Sequence, residues 1–115
     1  MALDSDCIFC KIIEGVIPSE IVYRDENVVA FNDLNPQAPT HVLVIPTLHV
    51  ENAAAMAEAS SVVTAALFKA AKKIAAERQL VGYRMVFNTG AEAGQSVFHA
   101  HLHLLGGRDF KWPPG

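Results

Sequence analysis

The sequence predicts an α+β fold: an antiparallel sheet of about five strands with one long helix and a short N-terminal helix. Two observations carry this prediction. Several short β-rich runs occur, two of them joined by a turn, and one alanine-rich stretch of helical periodicity lies between them. The chain has 115 residues, which is the usual size of one domain. We therefore expect a single domain over residues 1–115.

Composition argues against several classes of protein. Hydrophobic residues make up 51% of the chain and charged residues 18%, so we expect a folded core. The net charge of −3 argues against a nucleic-acid partner, but it is compatible with a small anionic ligand. No apolar run approaches the roughly 20 residues of a membrane span, and no apolar signal core follows the acidic start. Two cysteines cannot form a disulfide framework, so we expect a cytoplasmic protein without a membrane partner.

The N-terminal half predicts a short helix, a β-hairpin and a buried strand. Apolar side chains within residues 7–14 are compatible with a short helix, which Gly15 and Pro18 end. Two β-rich runs follow on either side of the turn-like segment 25–27. The predicted strands of this half cover residues 21–23, 28–33 and 41–45.

The C-terminal half predicts the long helix and two further strands. From about Asn52 to Leu80 the alanine-rich stretch has an apolar and a polar side at helical spacing. A break is expected near Ser60 and Ser61, and Gly82 suits the C-terminal cap. The predicted strands of this half cover residues 83–88 and 99–105, with a glycine-bearing loop between them.

Three histidines, His99, His101 and His103, are spaced two residues apart. On a strand, residues i, i+2 and i+4 line one face, so the three imidazoles are expected on the same side of the sheet. Imidazole changes charge near neutral pH and can bind a metal, shuttle protons or attack an electrophile. The segment is therefore predicted to be a functional site.

Motifs on both sides of the long helix extend this pattern. The front half carries a run from Phe31 to His41 and then Val44-Ile45-Pro46, and the back half carries Asn88-Thr89-Gly90, Gly94-Gln95-Ser96-Val97 and Trp112-Pro113-Pro114-Gly115. Together with His-x-His-x-His, these motifs resemble the Hint branch of the histidine-triad (HIT) superfamily of nucleotide hydrolases and transferases over nearly the whole chain. The resemblance implies a HIT-like fold and a homodimer whose two sheets join. It also implies a purine nucleoside phosphoramidase, which cleaves nucleoside 5′-phosphoramidates such as AMP linked to an amine.

The resemblance assigns catalytic roles to four residues. His101 would attack phosphorus and form a nucleotidyl-histidine, which requires its other nitrogen to keep a proton against a backbone carbonyl. His103 would donate to a phosphoryl oxygen or to the leaving group, and His99 would complete the triplet. Ser96 would contact the phosphate or protonate the amine. The alternative is that the triplet binds a metal, for which only Asp109 offers a further ligand close by.

The resemblance also predicts a site for AMP-type purine nucleotides. Asp33 would accept both ribose hydroxyls, although a turn aspartate is the alternative. Asn88 would contact the phosphate or merely cap its strand, and His41 is either a helper beside the triplet or a buried structural histidine. The other predicted nucleotide-binding residues, of which the four apolar ones before residue 35 are core residues without the resemblance, are Phe9, Ile17, Phe31, Leu34, Gly94, Gln95 and Val97.

Cys7 and Cys10 form a Cys-x-x-Cys pair, which suits a redox pair, half of a zinc site or two small hydrophobic residues. A thioredoxin-like site is disfavoured because no strand precedes the motif. Some bacterial members of the superfamily bind zinc with such a pair and two histidines, and the resemblance implies His49 and His99 as those histidines. Two cysteines and two histidines make a closed structural Zn²⁺ site without an open position for catalysis.

Two classes of function fit these residues. One is a nucleotidyl hydrolase with a covalent intermediate on His101, and the other is a nucleotide-binding interaction module that senses AMP-like ligands. The complete triplet and Ser96 favour the hydrolase. Trp112 is expected to reach the partner subunit's site and to influence the choice of leaving group. Phosphoramidates, aminoacyl-adenylates and other adenylates share the same reacting phosphate, so each of them fits the prediction.

Overall fold

The computed structural model describes residues 4–115 and confirms the predicted α+β fold class. One sheet contains all five strands, and every neighbouring pair in it is antiparallel. In chain order the elements are α1 (Ile8–Ile13), β1 (Ile21–Arg24), β2 (Val28–Asn32), β3 (Thr40–Pro46), α2 (Ala53–Ala59), α3 (Ser61–Glu77), β4 (Tyr83–Val86) and β5 (Leu102–Gly106). The strand order is β1-β2-β3-β5-β4, which leaves β1 and β4 at the edges of the sheet.

The sheet buries apolar side chains on both faces. On β2, Val28 and Ala30 face α3, whereas Val29 and Phe31 face α1 on the opposite side. β3 alternates in the same way and carries Leu43 on the α1 face. Since Phe31 pairs with Leu43 and Leu43 pairs with His103, the side chain of His103 lies on the α1 face. The candidate site therefore lies on the α1 face of the sheet. On the opposite face, α3 covers the main core.

The predicted long helix is two helices, α2 and α3, with the break at Ser60 as expected. The Ser60 hydroxyl accepts from the amide of Val63 at 3.1 Å and so caps α3. The prediction that Gly82 caps the C-terminus of this helix was wrong. Gln79 adopts the left-handed conformation at φ 56°, and the amide of Leu80 donates to the carbonyl of Ala75, which closes the helix three residues earlier. Within residues 4–115, no helix has both the length and the apolarity needed to cross a membrane.

The last two strands are shorter than predicted. β4 ends at Val86 instead of at residue 88, and β5 begins at Leu102 instead of at residue 99. The segment before Leu102 leaves the sheet because the amide of Ala100 donates to the carbonyl of Val50 at 2.8 Å. Alternation nevertheless persists through it. Ala100, Leu102 and Leu104 are buried in the core under α3.

Candidate active site and metal centre

Four of the five histidines fall into two groups of possible metal ligands, and His101 belongs to neither group. In the first, one ligand atom from each of Cys7, Cys10, His49 and His99 lies within 4.8 Å of the others, and we call these four residues the tetrad. In the second, the same holds for Asp33, His41 and His103. Among residues 4–115 no such group contains His101, so the alternative in which the whole triplet shares one metal is not supported.

The distances within the tetrad fit a tetrahedral metal ion. The Sγ of Cys10 lies 3.2 Å from Nδ1 of His49 and 3.6 Å from Nδ1 of His99, and the Sγ of Cys7 lies 3.5 Å from Nδ1 of His99. The two Nδ1 atoms are 3.1 Å apart. Tetrahedral zinc with ordinary bond lengths requires about 3.5 Å between sulfur and nitrogen and about 3.3 Å between two nitrogens. The four residues predicted as zinc ligands therefore converge with the geometry that zinc prefers.

Backbone groups form hydrogen bonds with the tetrad that favour cation binding by its nitrogen and sulfur atoms. Nε2 of His99 lies 2.9 Å from the carbonyl oxygen of Pro46, so this nitrogen carries the proton and Nδ1 keeps a free lone pair. The amide of Cys10 donates to Sγ of Cys7 at 3.4 Å, and the amide of Asp4 donates to Sγ of Cys10 at 3.3 Å. Burial raises the pKa of the Cys10 thiol to about 11, so without a cation this sulfur is protonated. A bound metal ion would hold it as a thiolate.

His41 and His103 form a second pair with a different chemistry. The amide of Gln37 donates to Nδ1 of His41 at 3.0 Å, so the proton of a neutral His41 sits on Nε2. Nε2 of His41 lies 2.9 Å from Nδ1 of His103 and donates to it. His103 therefore carries its own proton on Nε2. We call this chain of donors, from Gln37 through His41 to His103, the histidine relay.

The histidine relay favours neutral rings. Burial lowers the pKa of His41, and it lowers the pKa of His103 to about 4. A metal ion does not fit this pair, because Nδ1 of His41 already accepts a hydrogen bond and a metal on Nε2 would require the ring to lose its last proton. His41 thus lies in contact with the triplet, at the position where a helper residue was predicted.

His101 presents an unprotonated nitrogen. Its Nδ1 donates to the carbonyl oxygen of His99 at 2.8 Å, so Nε2 of the neutral ring keeps its lone pair. Burial lowers the pKa of His101, which favours that neutral form. The ring of Phe9 meets His101 edge-on with the centroids 5.0 Å apart, and the ring of His103 lies at the same distance from His101. Nε2 of the neutral His101 ring can therefore accept a proton or attack an electrophile.

The residues predicted to surround the base lie in different environments. Phe9 and Phe31 are buried and pack against each other with centroids 5.6 Å apart, and Ile17 and Val97 pack against the same cluster. Leu34 is 98% exposed, so it packs against nothing in this chain. Four of the predicted apolar residues thus pack in one cluster, which contacts His101 through Phe9, and the fifth is exposed to solvent.

Asp33 lies just beyond the end of β2. Its Oδ1 accepts from the amide of Asn35 at 2.8 Å, and its Oδ2 lies 3.5 Å from Nε2 of His41. The carboxylate therefore fulfils the role of a turn aspartate and also faces the histidine relay. Asn88 lines a depression of about 280 Å³ that His41 and His103 share, which places its amide beside the relay.

A left-handed glycine and the hydrogen bonds of one buried side chain fix the conformation of the loop before the triplet. Gly94 has a φ of 97°, a left-handed conformation that glycine adopts without strain. The side chain of Gln95 is buried and bonds to the amide of Gly90 and to the carbonyls of Glu51 and Val97. Those bonds occupy the Gln95 amide within the loop. Ser96 is exposed and lines a depression on the tetrad side of the loop.

Sequence reasoning missed the backbone groups that set the tautomers of the rings. The Gln37 amide and the Pro46 carbonyl decide which nitrogen of His41 and His99 carries the proton. No residue type marks such a group, because every residue except proline has both an amide and a carbonyl. Trp112, predicted to reach a partner subunit, is 84% exposed.

The chain is similar to known proteins over most of its length. The HIT domain matches residues 14–110. An uncharacterized HIT-like protein of Synechocystis sp. is 49% identical over 111 residues, which cover 96% of this chain and 97% of that protein. A 14 kDa zinc-binding protein of Zea mays is 49% identical over 115 residues, covering 97% of this chain and 90% of that protein. A HIT family hydrolase from Legionella pneumophila has a TM-score of 0.91 and 48% identity, with 95% of this chain and 99% of that chain covered.

The match to the domain begins after the cysteine pair. Cys7 and Cys10 precede residue 14, whereas His49 and His99 lie within the matched range. Half of the tetrad thus lies N-terminal to the range that the domain matches.

Proposed function

Because the chain belongs to the HIT family, we propose that it is a nucleotide-binding hydrolase that cleaves nucleoside 5′-phosphoramidates or related adenylates to AMP. The observation that carries the proposal is the hydrogen bond from Nδ1 of His101 to the carbonyl of His99. It leaves the lone pair on Nε2 of a ring that packs against His103 and Phe9. A nucleophilic imidazole needs that tautomer.

The proposed reaction has two steps at phosphorus. Nε2 of His101 attacks, the P–N bond breaks, and the leaving nitrogen keeps the electron pair of that bond. The nitrogen takes a proton that we assign to the hydroxyl of Ser96, which is exposed and can regain it from water. Water then attacks the nucleotidyl-histidine, releases AMP and restores the neutral ring. Throughout, the carbonyl of His99 stabilises the positive charge that the modified His101 carries.

His103 has the protonation needed to stabilise charge on the phosphate. The N–H of a neutral imidazole is a good hydrogen-bond donor, so the Nε2–H of His103 suits a phosphoryl oxygen. Asn88 would add a second donor from the depression that it shares with His103. The carboxylate of Asp33 would accept the ribose hydroxyls, and the surface of Phe9, Phe31, Ile17 and Val97 would contact the purine.

The tetrad fits a structural Zn²⁺ ion. A bound zinc ion would cross-link α1 to the segments that carry His49 and His99. Because all four donors come from the protein, the ion would have no open coordination position. The relative from Zea mays that is named a zinc-binding protein supports this assignment. The role of this chain's own residues there is to hold the His99–His101 segment in place.

We further propose a cytoplasmic homodimer in which the sheets of two single-domain subunits join. β4 is an edge strand, and its Tyr83 and Met85 are each 40% exposed. An unpaired edge with apolar side chains is a ready surface for a second copy of the strand. Molar mass measured by light scattering tests this, and a monomer at all concentrations contradicts it.

The hydrolase is tested by incubating the chain with an adenosine 5′-phosphoramidate. We expect release of AMP by the wild type and no release above background by His101→Ala, with a nucleotidyl-enzyme adduct trapped only in the wild type. If the wild type binds AMP but releases none from the phosphoramidate, the alternative of a nucleotide-sensing interaction module is correct. Equal turnover by the two proteins would contradict the role of His101.

A further inference from the structure

We infer that Arg108 is a positioning residue that acts through Gln37 to keep the proton of His103 on Nε2. The inference rests on the proposed function, because it concerns the residue that would donate to the phosphate. Arg108 lies after β5, and its Nε donates to the carbonyl of Gln37 at 3.0 Å across 71 residues of sequence. That carbonyl belongs to the loop between β2 and β3, whose amide at Gln37 begins the histidine relay.

The backbone of Gln37 is held on both sides. Its carbonyl accepts from Arg108 at 3.0 Å, and its amide donates to Nδ1 of His41 at the same distance. Gly107 permits this contact, because a Cβ at its position would lie 2.9 Å from Cβ of Pro39 in the same loop. The segment that follows β5 therefore packs directly on the loop, and Arg108 fixes the orientation of the residue that decides the tautomer of His41.

The tautomer of His103 depends on that of His41, because only one of their two facing nitrogens can donate the hydrogen bond between them. If the Gln37 amide moves away, a neutral His41 can place its proton on Nδ1 and expose a lone pair at Nε2. His103 would then have to donate from its own Nδ1 across the 2.9 Å contact, and its Nε2 would become an acceptor. An acceptor there repels a phosphoryl oxygen. The bond from Arg108 therefore adds to the effect of the Asp33 carboxylate, which lies 3.5 Å from Nε2 of His41, in favouring the tautomer in which His103 is a donor.

Arg84 provides a matched control. Both arginines stack on Phe110, with Cζ 5.0 Å from the ring centroid for Arg84 and 4.2 Å for Arg108. Both also donate to a backbone carbonyl, but the one that Arg84 contacts is that of Lys111, at 3.0 Å, outside the loop. Removal of either guanidinium thus costs a similar cation–π contact and a hydrogen bond to a carbonyl outside the loop, because Arg108 also donates from Nη1 to the carbonyl of its neighbour Asp109 at 3.0 Å. Only Arg108→Gln removes the contact with Gln37.

The experiment is heteronuclear NMR of the imidazole ring nitrogens in the wild type, Arg108→Gln and Arg84→Gln, without substrate. Protonated and unprotonated ring nitrogens have widely separated shifts, so the tautomer is read directly. We expect Nε2-protonated His41 and His103 in the wild type and in Arg84→Gln, and a mixture of tautomers in Arg108→Gln. A single unchanged tautomer in Arg108→Gln overturns the inference, and so does an equal shift in both variants.

A kinetic measurement adds a second readout. Because Arg108→Gln leaves the imidazoles in place, we expect kcat on an adenosine phosphoramidate to fall by about tenfold with little change in KM, less than the 10²–10³-fold cost of deleting a transition-state donor. Unchanged kcat alongside mixed tautomers would overturn the role assigned to the bond. The spectra need no turnover, so a failure of the proposed reaction and a failure of this inference are distinguishable.

Discussion

The tetrad and the histidine relay each bring two imidazole nitrogens close together, 3.1 Å apart between His49 and His99 and 2.9 Å apart between His41 and His103. The two pairs nevertheless suit different chemistry. In the tetrad the far nitrogen of His99 faces a carbonyl, which accepts a hydrogen bond from its N–H and so leaves the near nitrogen unprotonated for a metal. In the relay the far nitrogen of His41 faces an amide, which forces the proton onto the near nitrogen. One backbone group behind each ring thus decides between metal binding and hydrogen-bond donation.

The largest effect is expected from removing the sulfurs of the tetrad. The double variant Cys7→Ser, Cys10→Ser should lose stoichiometric zinc and several kcal/mol of stability, which corresponds to a fall in Tm of about 10 °C or more. Metal analysis and thermal melting measure this. At a temperature well below both melting points, kcat should change less than in the variant of His103 described next. A wild type that binds no zinc, or equal Tm values, would contradict the zinc assignment.

An intermediate effect is expected from removing the donor at the end of the relay. His103→Phe keeps a ring in the site but deletes its Nε2–H, so kcat on an adenosine phosphoramidate should fall by about 10²–10³-fold. Zinc content should stay equal to that of the wild type, because His103 contributes nothing to the tetrad. Loss of zinc from His103→Phe, or turnover equal to that of the wild type, would contradict the separate roles of the tetrad and the histidine relay.

The smallest effect is expected from pH. The pKa of His103 is about 4 in the folded chain and about 6.5 when unfolded. Between these two pH values the unfolded state binds a proton at His103 that the folded state does not bind. Stability should therefore fall as pH drops from 6.5 towards 4, by at most about 1.4 kcal/mol per pH unit for this group. His103→Phe retains the tetrad and should show a shallower decline of Tm over that window. Parallel curves for the two proteins would show that His103 does not contribute.

The elements of the fold were predictable because hydrophobic periodicity determines which side chains are buried. The break at Ser60 was also predictable, whereas the left-handed residue at the helix end was misassigned to Gly82 because glycine is the usual residue there and Gln79 is not. The convergence of Cys7 and Cys10 with His49 and His99 was predicted through the resemblance to a family. Periodicity alone placed His99 on a strand, and the strand in fact begins at Leu102.

The tautomers of His41, His99 and His103 could not be predicted from the sequence, for a physical reason. They depend on the direction of single amides and carbonyls, which follow from loop geometry and not from residue type. The same holds for the contact between Arg108 and Gln37, which joins two loops that are far apart in the chain. Residue types thus indicated the candidate site residues, and backbone groups determine the protonation state of their rings.

The alternation of residues 99–105 also restricts how this segment can change in evolution. His101 and His103 point to one side, and Ala100, Leu102 and Leu104 fill the core on the other. Insertion or deletion of one residue would exchange the two sets, burying imidazoles under α3 and turning leucines to the α1 face. A substitution here replaces one side chain, whereas a change of length would displace the proposed metal ligand, the proposed nucleophile and the core residues together. We therefore expect the segment to vary in composition among functional descendants but never in length.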